Sequence, residues 1–163
     1  MYRAATSNSP TQTATKAKPI SGAEVADHAL SWRDTPWCHE GRTRFGIDCV
    51  GLVVVSAWHV GAPYVGYNYV GYARRPAKNI LLGEFRKQMI EIPRHLEEPG
   101  TVLIFDQEGY APYHVAIQLR PGEMVHAYLP ARKTIADEIA RRRFSLELTH
   151  RFAYKGVRYS WDV

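Results

Sequence analysis

Residues 46–52, Gly-Ile-Asp-Cys-Val-Gly-Leu, set Cys49, one of two cysteines in the chain, directly after an aspartate and at the head of an apolar run. The run predicts a helix starting at or just before Cys49, with Leu52, Val53, Ser56 and Ala57 on one face and Gly61 with Pro63 as the stop. A thiol at a helix N-terminus has the first requirement of a nucleophile, because the amides and dipole there favour the thiolate. His114 in Tyr-His-Val-Ala-Ile-Gln-Leu and His126 in Met-Val-His-Ala-Tyr-Leu supply the other two. An imidazole in reach takes the thiol proton and returns it to the leaving group. A second polar group holds that imidazole in the useful tautomer. The N–H groups of the helix start are candidates for an oxyanion hole. Gly51 would let the first turn approach another element closely, and Gly46 would permit an unusual turn before the nucleophile. Asp48 stays open between two uses, a helix cap and a contact to a substrate ammonium group; lying close, its carboxylate also opposes the thiolate.

A cysteine opening a helix is in general more often packing than chemistry, and a strand histidine is commonly a structural group. A zinc site from Cys38, His39, Cys49 and a distant histidine has a spacing that matches no standard ligand pattern. No metal or other cofactor is expected.

Around these residues the pattern is of helices first and strands second. Ser21 and Glu24 fit a capping box ahead of Val25, Ala26, Ala29 and Leu30 at helical spacing, and Pro36 bars that helix from running on. The aromatic stretch 64–76 is too interrupted by glycine to assign. Residues 79–90 read as a helix with Ile80, Leu81, Phe85 and Ile90 as its apolar positions. From Pro99 onward, three short β-type runs are separated by Pro-Gly pairs at 99–100 and 121–122. Residues 136–144 read as a basic surface helix and Thr149–Gly156 as a last strand. The fold class expected is α+β, N-terminal helices packed on an antiparallel sheet. Residues 1–20, rich in Thr, Ser, Ala and Lys, are expected to be a flexible tail, and residues 21–163 one domain.

The 163 residues, 45% of them apolar, suit one core, and a formal charge of +5 favours anionic partners in a general way. The basic residues are scattered, so nucleic acid is not an expected partner. No stretch approaches the roughly 18 apolar residues of a membrane span, and the N-terminus has no apolar centre of a secretory signal.

The segment Thr35–Val53 resembles the nucleophile segment of the NlpC/p60 family of cell-wall cysteine peptidases. Glu98–Asp106 resembles the family's proline–glycine–aspartate strand, Tyr113–Leu119 its base-histidine strand, and Met124–Leu129 the strand carrying the third residue. The resemblance spans about residues 22–157. It implies a papain-like fold, Cys49 as nucleophile, His114 as general base and acid, and His126 as orienter. The implied substrate is the peptide stem of peptidoglycan, cut at the γ-D-glutamyl–diamino-acid bond, with Asp48, Trp37 and Val50 as substrate-binding positions. Trp37 stands where the family has tyrosine, Val50 where it has serine, and Thr101 where it has aspartate. A narrower resemblance, in Tyr72–Pro76 and in His126–Arg143 followed by an Arg-Phe strand, is to tail-associated peptidases of tailed bacteriophages. It implies other tail-tip proteins as partners and a virion tail made in the host cytoplasm and acting at the wall or periplasm. An antibacterial effector amidase and a catalytically silent tail-tip module are the alternatives.

One geometric demand follows from strand parity. His114 and His126 share a sheet face only if paired residue numbers in their hairpin sum to an even value. A tight Pro121-Gly122 turn pairs Leu119 with Met124, an odd sum. The catalytic reading therefore requires an odd-length loop or a β-bulge between Gln118 and Val125, with Gly122 the residue expected at positive φ.

Overall fold

The computed structural model describes residues 18–75, 79–107, 110–140 and 146–162. The expected tail lies outside these up to residue 17. Helix α1 (Gly22–Leu30) opens on the predicted capping box: the Ser21 hydroxyl accepts from the Glu24 N–H, and the Glu24 carboxylate accepts from the Ser21 N–H. A two-residue hairpin, β1 (Arg42–Thr43) and β2 (Gly46–Ile47), leads into α2 (Cys49–Val60), which ends at Gly61 with φ 81°. Helix α3 (Ile80–Gln88) precedes β3 (Ile90–Ile92), β4 (Val102–Gln107), β5 (Tyr110–Arg120), β6 (Glu123–Tyr128), β7 (Lys133–Glu138) and β8 (Leu146–Ala153). These six strands form one antiparallel sheet in the order β3-β8-β4-β5-β6-β7.

Helices α1 and α2 pack on each other and on β5, and α2 also meets β6. The alternation of each strand sorts its side chains between two clusters. Val102, Ile104, Val115, Ile117, Val125 and Phe152 face the helical core, where Leu52, Val53 and Ala57 are buried. Leu103, Phe105, Ala116 and Met124 make a smaller cluster on the other face. No helix among the described residues is long and apolar enough to cross a membrane.

Three expectations are corrected. Ala136, Asp137 and Glu138 belong to strand β7, not to a helix. The outer edge of β6 carries backbone groups that need partners, and this tertiary demand outweighs the modest helix preference of the segment. On α3 the buried positions are Leu81, Leu82 and Phe85, whereas Ile80 is exposed and Ile90, also exposed, lies beyond the helix at the start of β3. The glycine at 46 serves space rather than a turn: a Cβ there would meet the Cys38 Cβ at 2.4 Å.

Candidate active site

Asp48 caps α2, accepting the Gly51 N–H at 2.7 Å, and so fixes Cys49 as the first helical residue. Gly51 is needed by close approach, since a Cβ would stand 2.3 Å from the Gly41 carbonyl oxygen. That contact locks the first turn of α2 against the segment ahead of β1.

The two histidines meet. The β5–β6 ladder pairs Arg120 with Glu123, then Gln118 with Met124 and Ile117 with Val125, skipping Leu119. The skipped residue is a bulge that turns the odd register of the tight Pro-Gly turn into an even one. Gly122 has φ 79°, as the turn demands. His114 and His126 consequently share a face, with His114 Nε2 2.7 Å from His126 Nδ1. Both are buried. Beyond Ile117 and Val125 no pairing joins β5 to β6 among the described residues. The Val115 amide, next to His114, instead acts on the Cys49 thiol, favouring its thiolate as do the amides of Val50 and of Cys49 itself. Because Nε2 of His114 is engaged by His126, Nδ1 is the nitrogen left to serve another group.

The electrostatics depart from the simple helix-terminus expectation. Cys49 as a residue is half-buried, yet burial of its sulfur pushes the thiol pKa up to about 12, with the Asp48 charge adding to the shift and the three amides opposing it. Burial, with His126 adding, holds the His114 pKa well below its ordinary value of 6.5. Both groups are neutral at rest.

A cleft of about 400 Å³, counted to its open mouth, exposes Cys49 between Trp37, His39, Asp48, Val50, Tyr72, Arg74 and Leu81. Trp37, Asp48 and Val50 all line it, and Asp48 is also the helix cap. Its carboxylate is 2% exposed and already receives Glu40 N–H at 2.7 Å and Tyr72 O–H at 2.8 Å, with Arg42 Nη1 at 3.5 Å and His39 Nδ1 at 3.4 Å. It is a structural hub as well as a cap. The Arg74 guanidinium lies over the Trp37 ring, 5.4 Å from its centroid.

Tyr72 and Arg74 come from the aromatic stretch that the sequence left unassigned. The clamp that holds this stretch could not be read from spacing: Arg42 donates to the Tyr69 carbonyl at 2.7 Å and to the Tyr72 hydroxyl at 3.1 Å, and Glu40 accepts the N–H groups of Gly71 and Tyr72.

No protein-family model matches the sequence, and no curated protein matches it. Solved structures do match in shape. The chain superposes on the NlpC/p60 domain of the peptidoglycan hydrolase SagA with a TM-score of 0.57 and 21% identity, over 82% of this chain and 99% of that one. An NlpC/p60 family protein from Bacillus cereus ATCC 10987 gives 0.64 and 16% over 84% of this chain, which spans only 41% of that longer protein. The P60 domain of an antigen from M. avium subspecies paratuberculosis gives 0.53 and 16%, over 84% of this chain and 98% of that one. Three helices laid on a six-stranded antiparallel sheet, with a cysteine at the head of the central helix, give this chain the NlpC/p60 fold.

Proposed function

We propose that the protein is a peptidoglycan hydrolase, a cysteine endopeptidase that cuts the stem peptide at the γ-D-glutamyl–diamino-acid bond. The observation that carries the reading is the buried histidine pair, 2.7 Å apart across β5 and β6, with the Val115 amide next to His114 acting on the Cys49 thiol. A scaffold gains nothing from two buried imidazoles held in contact with each other. The peptidoglycan hydrolase among the structural neighbours supports the substrate class.

In the proposed mechanism the neutral thiol gives its proton to Nδ1 of neutral His114 as sulfur attacks the scissile carbonyl, so no stable ion pair has to form first. The amides of Cys49, Val50 and Val115 are the candidate donors to the oxyanion. His114 then protonates the leaving amine, and water resolves the thioester. Trp37 and Val50 give the cleft an apolar wall, Asp48 anchors Tyr72, which also lines the cleft, and Arg74 is placed to meet a stem-peptide carboxylate.

The setting we propose is the tail of a bacteriophage or prophage, with other tail-tip proteins as partners, the protein being made in the host cytoplasm and acting at the wall. The test of the activity is direct. Purified protein should clear sacculi and release soluble peptides whose masses report the bond cut, and Cys49→Ala should abolish both. Clearing that survives Cys49→Ala would end the cysteine-peptidase reading.

A further inference from the structure

We propose that Asp137 is a positioning residue for the histidine pair: its carboxylate selects the tautomer of His126 and thereby the nitrogen of His114 that is left basic. The proposal rests on the reading of His114 as general base. Asp137 lies on β7 opposite Met124, which puts it on the same sheet face as His126. Its side chain is 4% exposed, and its Oδ2 stands 4.0 Å from His126 Nε2. The other oxygen accepts the Glu138 N–H at 2.9 Å, which fixes the rotation of the carboxylate.

A distance of 4.0 Å is a charge contact rather than a hydrogen bond, and that is enough to discriminate tautomers. Neutral His126 can turn either an N–H or a lone pair of Nε2 toward the carboxylate. The N–H dipole is attracted and the lone pair repelled, so the proton resides on Nε2. Nδ1 then carries the lone pair and accepts from Nε2–H of His114 across the 2.7 Å contact. With its proton on Nε2, His114 keeps its own lone pair on Nδ1, the nitrogen that must receive the thiol proton. The opposite tautomer of His126 would aim Nδ1–H at His114, force the His114 lone pair onto Nε2, and put a proton where the base should be. Among the described residues, the titratable groups that touch His126 include His114 on β5, Tyr128 stacked on it at 5.2 Å, and Asp137 on β7. Among these, Asp137 is the carboxylate facing Nε2.

The test uses the full chain with ¹⁵N-labelled histidine, reading the ring-nitrogen shifts of His126, together with kcat/KM on sacculi across pH. Wild type should show His126 protonated on Nε2 and bare on Nδ1. Asp137→Leu removes charge and acceptor. It should scramble that tautomer, lower kcat/KM by at least about tenfold, and move the histidine-linked limb of the pH profile to lower pH, since a lost negative charge disfavours imidazolium. Asp137→Asn removes the charge while keeping the size of the side chain, so the limb should still move. A wild-type His126 protonated on Nδ1 overturns the proposal, as does an Asp137→Leu protein with unchanged tautomer and pH profile. If Asp137→Leu does not fold, the Asp137→Asn limb decides, and an unmoved limb overturns it. Wild-type protein that hydrolyses no sacculi would sink the proposed function instead, leaving the ring-nitrogen shifts to judge the tautomer.

Discussion

At Cys49, burial and the adjacent Asp48 outweigh the nearby amides at the helix N-terminus and on β5, so the thiol stays protonated at rest. The expected consequence is a thiol whose alkylation rate keeps rising through about pH 9 instead of levelling near neutrality. Cys38 is exposed and would mask this, so the measurement belongs in a Cys38→Ser background; a plateau below pH 7 would mean a preformed ion pair. His114 starts neutral for the same reason, burial, and should become competent as pH rises through a value below 6.5. The two histidines should also separate by substitution. His114→Ala removes the proton acceptor and should abolish turnover of sacculi. His126→Gln can still accept from His114 Nε2–H and should retain part of the activity. Equal and complete loss in both would mean that base and orienter have been confused.

The elements set these residues through two backbone devices and one ring contact. At the β5–β6 turn, Gly122 has φ 79° and open space where a Cβ would sit, so Gly122→Ala tests strain without a clash. It should cost about 1–2 kcal/mol in urea denaturation, and a neutral result would mean the turn is not what holds the register. At the α1–α2 contact, His28 stacks on His59 with centroids 4.1 Å apart, and burial with the His59 and Arg44 charges lowers the His28 pKa to about 4. A depressed histidine is protonated in the unfolded chain before the folded one. Stability should therefore fall as pH drops from about 6.5 to about 4. The ring is only half-buried, so His28 alone contributes on the order of 1 kcal/mol. Buried His114 adds to the same limb, and His28→Gln should flatten it in part, as read by melting temperature against pH. An irregularity between Gln118 and Val125 was legible in the sequence, because a tight two-residue turn would put the two histidines on opposite faces, but its form as a bulge at Leu119 was not. Strand β7 was not legible. Its Ala, Asp and Glu have no strand pattern of their own, and the hydrogen-bonding edge of β6 decides it. Asp137 was therefore hidden along with the strand that carries it.

At the scale of the whole molecule, the site lies where two layers meet, Cys49 heading a helix on one side and the histidines in the sheet on the other. Motifs made the two layers readable, since each carries its residues within a few positions. The wall of the cleft was not readable, because Arg42 and Glu40 hold residues 69–72 by contacts that cross about thirty positions of sequence. That wall decides the field at the cleft mouth. Asp48 is enclosed among Arg42, Tyr72 and His39, so its charge is largely answered inside, while Arg74 lies exposed at the cleft in a chain of net charge +5. An anionic polymer should then be drawn toward the cleft by a force that salt screens over roughly 10 Å at 0.1 M. We expect kcat/KM on sacculi to fall as ionic strength rises, with kcat little changed. Arg74→Gln should lower kcat/KM at low salt and flatten its salt dependence. Arg86→Gln, the same change in charge on α3 outside the cleft lining, should do so less. Equal effects from the two substitutions would assign the attraction to net charge alone, and would remove Arg74 from substrate recognition.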